Sequence, residues 1–362
     1  MESKKNTICL VIPSLIAGGM ERVMSGLANY LVNRDVNVIL ILMFKDEVFY
    51  KLDPSIQVIE PTFEKKSNFS YAFFLFPFLR RTIKQIDPQA ILSFGERYNS
   101  YLLLATLGLR LPIFISDRSS PHKSLSGFNL WMSRVLYKKA TGIVAQTSKA
   151  AELLSNRLKG AHDNIRVIPN PLREIQRAEY PKKDQIVALG RIVREKRYDR
   201  LLEAISLLRD QKWKLVIVGD GYMRAEVEEW IREFGVQDRI ILAGQQKEVD
   251  KYLGESKIYA LSSDIEGYPN ALCEAMAHGL ACISFDCVAG PSDIIEHKKN
   301  GILIEDGHIE LFARELDHLI ESEEERLRLG TEATNIRSKL QGDKIFEQYL
   351  QFMLSASPSS KN

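Results

Sequence analysis

Glu266 and Glu274 stand eight positions apart in the stretch Ser262-Ser263-Asp264-Ile265-Glu266-Gly267-Tyr268-Pro269-Asn270-Ala271-Leu272-Cys273-Glu274-Ala275. The apolar run 257–261 before them reads as a strand that passes into a polar turn. Asn270 is then expected to cap a short helix over 271–278 that stops at Gly279. On such a helix Glu274 shares a face with Ala271, Ala275 and His278, and the alanines leave room for a ligand. The first helical amides, near Asn270 and Ala271, lack intrahelical acceptors and carry the positive end of the dipole, which suits a phosphate. Two carboxylates that accept hydroxyl hydrogen bonds beside an anion site look like a sugar-nucleotide pocket. On spacing alone the plainer reading is the stronger one: a helical Glu favoured by the dipole and a solvated Glu in a loop.

A second group of candidates follows the apolar run 185–190. In Leu189-Gly190-Arg191-Ile192-Val193-Arg194-Glu195-Lys196-Arg197, the planar Arg191 fork and the Lys196 point charge can both reach a diphosphate and stabilise the charge on a departing nucleotide. A solvated basic loop that also holds Arg194 and Arg197 fits the same residues.

Taken together, these residues resemble a known family. Glu, seven residues, Glu, with Gly-x-Pro inside and Ala after, is similar to the signature of family-four retaining glycosyltransferases of the two-domain GT-B fold. Gly190-Arg191-x(4)-Lys196 matches that family's phosphate-binding pair; Arg197 stands where the family often has Gly or Asn. The resemblance implies that Arg191 and Lys196 bind the donor diphosphate, Glu274 the ribose and Glu266 the donor sugar near the reacting carbon. Gly18 and Gly19, in Ala17-Gly18-Gly19-Met20-Glu21-Arg22, resemble the glycine loop placed beside the donor phosphates and sugar. Arg118 falls where many relatives of the resembled family carry a His that contacts the donor sugar and stabilises the transition state; Arg cannot act as a base at neutral pH but can hold a phosphate or sugar, or form a structural ion pair with Asp117 or another acid. Gly219-Asp220-Gly221 resembles the family's Gly-x-Gly and reads as mainly structural.

The resemblance further implies a UDP-linked donor, a front-face displacement with retention, and an acceptor that is a lipid-linked saccharide. Within the family the likeness is to bacterial N-acetylgalactosaminyltransferases acting on undecaprenyl-diphosphate-linked oligosaccharides. No Asp-x-Asp occurs to hold a metal on the diphosphate, so a metal-independent enzyme with no cofactor is expected. A sugar-nucleotide epimerase or hydrolase of the same architecture stays open, as does a non-catalytic binding module.

The elements that must position these residues are legible as alternation. Thr7–Ile12 reads as a strand, Gly18-Gly19 as a turn and 20–33 as a helix with apolar residues at Val23, Leu27, Tyr30 and Leu31. The continuous apolar run 36–44 is expected to be buried on both faces of a parallel sheet. Shorter strands are expected at 90–93, 112–116 and 142–145. The pattern lapses over 167–184, then resumes with strands at 185–190, 214–219, 240–243, 257–261, 281–285 and 302–304. The fold class is therefore α/β, with two Rossmann-like doubly wound domains. Residues 1–170 form the expected acceptor-binding domain and 171–345 the nucleotide-sugar-binding domain; over 346–362 a helix crosses back to the first domain and a tail follows.

Length is consistent with two domains, at 362 residues. A net charge of +2 speaks against a nucleic-acid binder driven by bulk electrostatics. Cys9, Cys273, Cys282 and Cys287 form no CxxC pair and read as reduced, mostly buried thiols of a cytoplasmic protein. No segment reads as transmembrane, and Pro13 ends the first apolar run too early for a signal peptide. The segment 63–84 mixes aromatics with Lys65, Lys66, Arg80, Arg81 and Lys84. It reads either as a peripheral contact with the anionic inner face of the cell membrane, beside a lipid-linked acceptor, or as core aromatics flanked by bases.

Overall fold

Strands made almost wholly of Ile, Leu and Val have no face to offer water, so they lie inside sheets covered on both sides. The computed structural model describes residues 7–63, 68–118, 125, 127–175 and 178–355, and in it every paired strand is parallel. The chain falls into two compact units, Met1–Pro171 with Gly342–Asn362, and Leu172–Gln341.

In the first unit, β1 (Thr7–Ile12), β2 (Asn37–Leu42), β3 (Gln57–Ile59), β4 (Ala90–Phe94), β5 (Ile113–Ser116), β6 (Gly142–Ala145) and β7 (Ile165–Val167) form a seven-stranded sheet in the order β3-β2-β1-β4-β5-β6-β7. The order reverses between β1 and β4, so the carboxyl ends of those strands open a crevice. Helix α1 (Gly19–Val32) follows β1 and buries Val23, Met24, Leu27 and Leu31, one face at helical spacing. The other helices used below are α2 (Asn68–Ile86), α3 (Glu96–Ala105), α4 (Gly127–Leu136) and α5 (Ser148–Arg157). The last described helix, Gly342–Leu354, packs on this unit: Phe352 meets Phe114 with ring centroids 5.0 Å apart, and Glu347 accepts from the Tyr30 hydroxyl at 2.6 Å.

The second unit contains β8 (Gln185–Leu189), β9 (Lys214–Val218), β10 (Ile240–Gly244), β11 (Ile258–Leu261), β12 (Ala281–Asp286) and β13 (Ile302–Glu305) in the order β10-β9-β8-β11-β12-β13. Its switch point lies between β8 and β11. Helices α6 (Tyr198–Ser206), α7 (Arg224–Glu233), α8 (Val249–Glu255) and α9 (Asn270–Ala277) flank it. The core is continuous from Ile186 and Leu215 through Leu201 and Ile217 to Phe285 and Phe312, whose rings lie 4.6 Å apart. The two short edge strands β3 and β7 are absent from the sequence reading, because three residues with mostly exposed side chains carry no apolar run.

Candidate functional site

The β8–β11 switch point fixes where second-unit chemistry can gather. Arg191 and Lys196 leave the carboxyl end of β8, while Glu266 and α9 leave the carboxyl end of β11. A tight fit of glycines holds the first of these loops: at Gly219, with φ +143°, a side chain would collide with the Gly190 carbonyl, and at Gly221 with that of Ile192. Gly219 and Gly221 thus let the β8 and β9 loops touch backbone to backbone.

Between the loops lies a cavity of about 470 Å³. Arg191, Lys196, Glu266, Asn270, Ala271 and Glu274 all line it. Within it Lys196 Nζ lies 2.6 Å from Glu266 Oε1, which also accepts from the Ser263 hydroxyl at 2.6 Å. Ser262 donates to the Lys196 carbonyl at 2.8 Å, so the two loops are tied by side chain and main chain together. Arg191 is exposed at the rim. Glu274 is only 10% exposed in its side chain and lies 3.0 Å from Arg173 Nε.

The helix start differs from the expectation. Asn270 is the first residue of α9 and not its cap; Pro269 occupies the cap position, and no side chain caps the helix. Pro269 has a restricted φ and no N–H to satisfy, and the Asn270 amide donates to the Tyr268 carbonyl at 2.9 Å. The next amides, those of Ala271 and Leu272, belong to the first turn, which by helix geometry has no intrahelical acceptor. The helix ends as expected, at His278 and the left-handed Gly279, φ +75°.

Three residues that sequence reasoning passed over belong to this site. Arg173 meets Glu274 and is itself held by Asp250. Tyr259, on β11, lines the cavity; it is fully buried, and its hydroxyl has no hydrogen-bond partner among the described residues. Burial, with Glu266 and Tyr198 adding to it, pushes its phenol well above the ordinary value. Arg197 accounts for its own departure from the family pattern: it sits in the left-handed region, φ 47° and ψ 49°, where Gly or Asn is at ease. Asp199 holds its fork at 2.6 and 2.9 Å.

The remaining candidates belong to the first unit. Gly18 and Gly19 open α1 after β1, and Tyr50 ties the turn by accepting from the Gly18 amide at 3.0 Å and donating to its carbonyl at 2.7 Å. Arg118 follows β5 and does not pair with Asp117, which bonds Arg157 at 2.5 Å. Instead the Arg118 fork lies 4.1 Å over the Phe94 ring and donates to the Asn170 side chain and, at 3.3 Å, to the Tyr349 hydroxyl. Burial lowers its pKa, and Glu21, three residues past Gly18, lies within its field.

Lys65 and Lys66 lie outside the described residues. Arg80 is half-buried and donates to the Ala105 and Leu107 carbonyls at 2.8 and 2.9 Å, whereas Arg81 and Lys84 are exposed. On α2, Phe73 and Phe74 are 71% and 54% exposed, while Tyr71, Leu75 and Leu79 are core, so the segment divides its aromatics between a buried and an exposed face. On α4, Phe128 and Trp131 stack at 5.7 Å and are also exposed. A cavity of about 620 Å³ between these helices is lined by Phe44, Tyr71, Phe76, Tyr98, Tyr101 and Phe128 among others. No described helix is long and apolar enough to cross a membrane.

Residues 173–336 match the family described as glycosyl transferases group 1, and residues 17–173 match glycosyltransferase family 4. The chain is 30% identical over 322 residues to the amylovoran biosynthesis glycosyltransferase AmsD of Erwinia amylovora, covering 86% of this chain and 88% of that one. It is 25% identical over 361 residues to a Campylobacter jejuni enzyme, GalNAc-alpha-(1->4)-GalNAc-alpha-(1->3)-diNAcBac-PP-undecaprenol alpha-1,4-N-acetyl-D-galactosaminyltransferase, covering 96% of this chain and 98% of the other. Among solved structures, Anabaena Alr3699/HepE in complex with UDP superposes with a TM-score of 0.79 at 18% identity, covering 96% of this chain and all of that one. The fold class expected from the sequence, two Rossmann-like parallel-sheet domains of GT-B type, is thereby borne out.

Proposed function

From the premise that this chain belongs to the group 1 glycosyltransferases, we propose that it moves a hexose or N-acetylhexosamine, with retention, from a UDP-linked donor to a lipid-diphosphate-linked saccharide. The observation that carries the reading is the convergence of Arg191, Lys196, Glu266, Asn270, Ala271 and Glu274 on one cavity at a sheet switch point. The UDP held by a fold neighbour and the undecaprenol-linked substrate of the Campylobacter relative support the choice of donor and acceptor classes.

Glu274, low in the cavity, accepts from the ribose hydroxyls. Arg191, Lys196 and the first α9 amides take the diphosphate. Charge on the phosphates is met by these cations and dipoles without a metal ion, so chelation by EDTA leaves transfer unchanged. Lys196 meets Glu266 at 2.6 Å, and donor entry exchanges that ion pair for two new contacts, Lys196 to phosphate and Glu266 to sugar hydroxyls. Ser263 keeps Glu266 oriented through the exchange.

In the transfer step the bond between the anomeric carbon and the phosphate oxygen breaks, and UDP leaves with the electron pair. The acceptor hydroxyl attacks the same face, and its proton passes to the departing phosphate oxygen. Arg118, in the first unit, lends positive charge to an acceptor phosphate. The exposed Phe73, Phe74, Phe128 and Trp131, with Arg81 and Lys84, meet the anionic membrane surface at its cytoplasmic face. Serine at Phe73 and Phe74 is expected to reduce co-sedimentation with anionic vesicles; unchanged sedimentation argues against this surface.

The separation of roles is testable in two substitutions. Glu266→Ala abolishes transfer and leaves UDP affinity nearly intact, whereas Glu274→Ala weakens UDP binding about tenfold or more. Equal loss of both properties in both variants contradicts the assignment.

A further inference from the structure

Glu274 does not stand alone in the cavity wall. Arg173, just after the chain enters the second unit, places its Nε 3.0 Å from Glu274 Oε2. Its two terminal nitrogens point elsewhere, to Asp250 on α8, at 2.9 Å to one carboxylate oxygen and 2.7 Å to the other. Asp250 in turn receives His278 Nε2 at 2.8 Å, and His278 lies at the end of the helix that carries Glu274. The four side chains thus close a ring through α9, with side-chain exposures of 22% for Arg173, 10% for Glu274 and Asp250 and 8% for His278.

Geometry gives each member a different task. A guanidinium bound bidentately by one carboxylate has its plane fixed, so the direction of its remaining Nε–H is fixed as well. That third N–H is spent on Glu274. Burial opposes the Arg173 charge, but the bond to Asp250 and the charge of Glu274 outweigh it, so the cation persists at any working pH. Burial holds the His278 pKa below its ordinary value despite Asp250; a neutral ring then donates Nε2–H to Asp250 and adds no second positive charge to compete with Arg173.

We infer that Arg173, clamped by Asp250 and His278, is the positioning residue for Glu274 and thereby sets the preference of the site for a ribonucleotide with both ribose hydroxyls. This rests on the proposed ribose-binding role of Glu274. Glu274 lines the cavity, and the Arg173 N–H sets which edge of its carboxylate is turned to the vicinal diol, so that this orientation decides whether one hydroxyl or both are met. Arg173 itself touches no donor atom in this scheme; it acts through Glu274.

The test is calorimetric titration of the full chain with UDP and with 2′-deoxy-UDP, for the unaltered protein and for Arg173→Met, Arg173→Lys and Asp250→Asn. The unaltered protein is expected to prefer UDP by roughly tenfold, the effect of one charge-assisted hydrogen bond. Arg173→Met brings UDP affinity down to that of the deoxynucleotide and leaves the deoxynucleotide affinity unchanged. Asp250→Asn, which keeps the shape and removes the charge, moves the ratio the same way by a smaller factor. Arg173→Lys keeps the charge without the fork and also loses the preference, even if Arg173→Met fails to fold. A merely structural Arg173 weakens both nucleotides equally, and that result overturns the inference, as does an unchanged ratio in the variants. If the unaltered protein binds both nucleotides equally well, the ribose role of Glu274 falls and the inference falls with it.

Discussion

In each unit of this glycosyltransferase a half-buried arginine joins two largely buried carboxylates, and the two clusters differ in what they face. In the first unit Arg157 reaches Glu96 and Asp117, each at 2.5 Å, and the Tyr137 hydroxyl donates to Asp117 at 2.7 Å. That cluster borders a void of only about 50 Å³. In the second unit Arg173 joins Asp250 to Glu274, and Glu274 lines the 470 Å³ cavity. One chemistry therefore serves two ends. Beside a void too small for a nucleotide, it pins α3, α5 and the strand end beside Arg118; beside the larger cavity, it fixes a carboxylate in the wall.

The contrast is broken most severely at Arg157. Arg157→Met leaves two buried carboxylates sharing no cation and is expected to cost about 3–5 kcal/mol of stability. UDP affinity of the remaining folded protein should stay within about twofold, because the effect is on stability and not on the second-unit cavity. A denaturant titration beside a UDP titration checks both, and a large loss of UDP affinity at unchanged stability would reverse the roles of the two clusters.

The two clusters should also respond to pH in opposite directions. Burial, with the Asp117 charge beside it, pushes Glu96 up to about 7 against the pull of Arg157. The folded chain holds that proton more tightly than the unfolded one, so its stabilisation is complete below the ordinary value of 4.5 and is lost as pH rises through about 7. His278 is shifted down by burial from 6.5, so its contribution is complete above that value and is lost as pH falls. Thermal melts from pH 5 to 8 should show the alkaline decline flattened in Glu96→Gln and the acid decline flattened in His278→Gln. The same flattening in both variants would mean that the clusters are not independent.

A smaller effect sharpens the second unit alone. Arg197→Gly removes left-handed strain worth about 1 kcal/mol and loses the partly exposed Asp199 pair, worth about as much, so stability should change by less than about 1 kcal/mol in a denaturant titration. A larger loss would mean that the Asp199 and Asp264 contacts hold the loop that carries Lys196 in place.

How far these features were legible depended on their range. Strands such as Asn37–Leu42 announced themselves because both faces are buried and every residue after the first is apolar. Glu266, Glu274, Arg191 and Lys196 were visible because each pair lies within one short stretch that resembles a family signature; spacing alone favoured the plainer reading. Arg173 was not, since its carboxylate partner Asp250 lies 77 residues away and nothing periodic links them. Asn270 misled for a local reason: Asn is a good cap in general, but Pro269 before it took the cap position. Tyr259 was hidden inside an apolar strand run, where an aromatic reads as core whether or not its hydroxyl has a partner.

The central claim is that the second-unit cavity binds a nucleotide sugar through Glu274 and Lys196. A thermal-shift panel of nucleotide sugars on the purified chain tests it most directly, since a ligand bound only by the folded state raises the melting temperature. One UDP-sugar should stabilise the protein, and Glu274→Ala and Lys196→Ala should each remove the shift. No shift with any nucleotide sugar, or a shift that survives both substitutions, contradicts the claim.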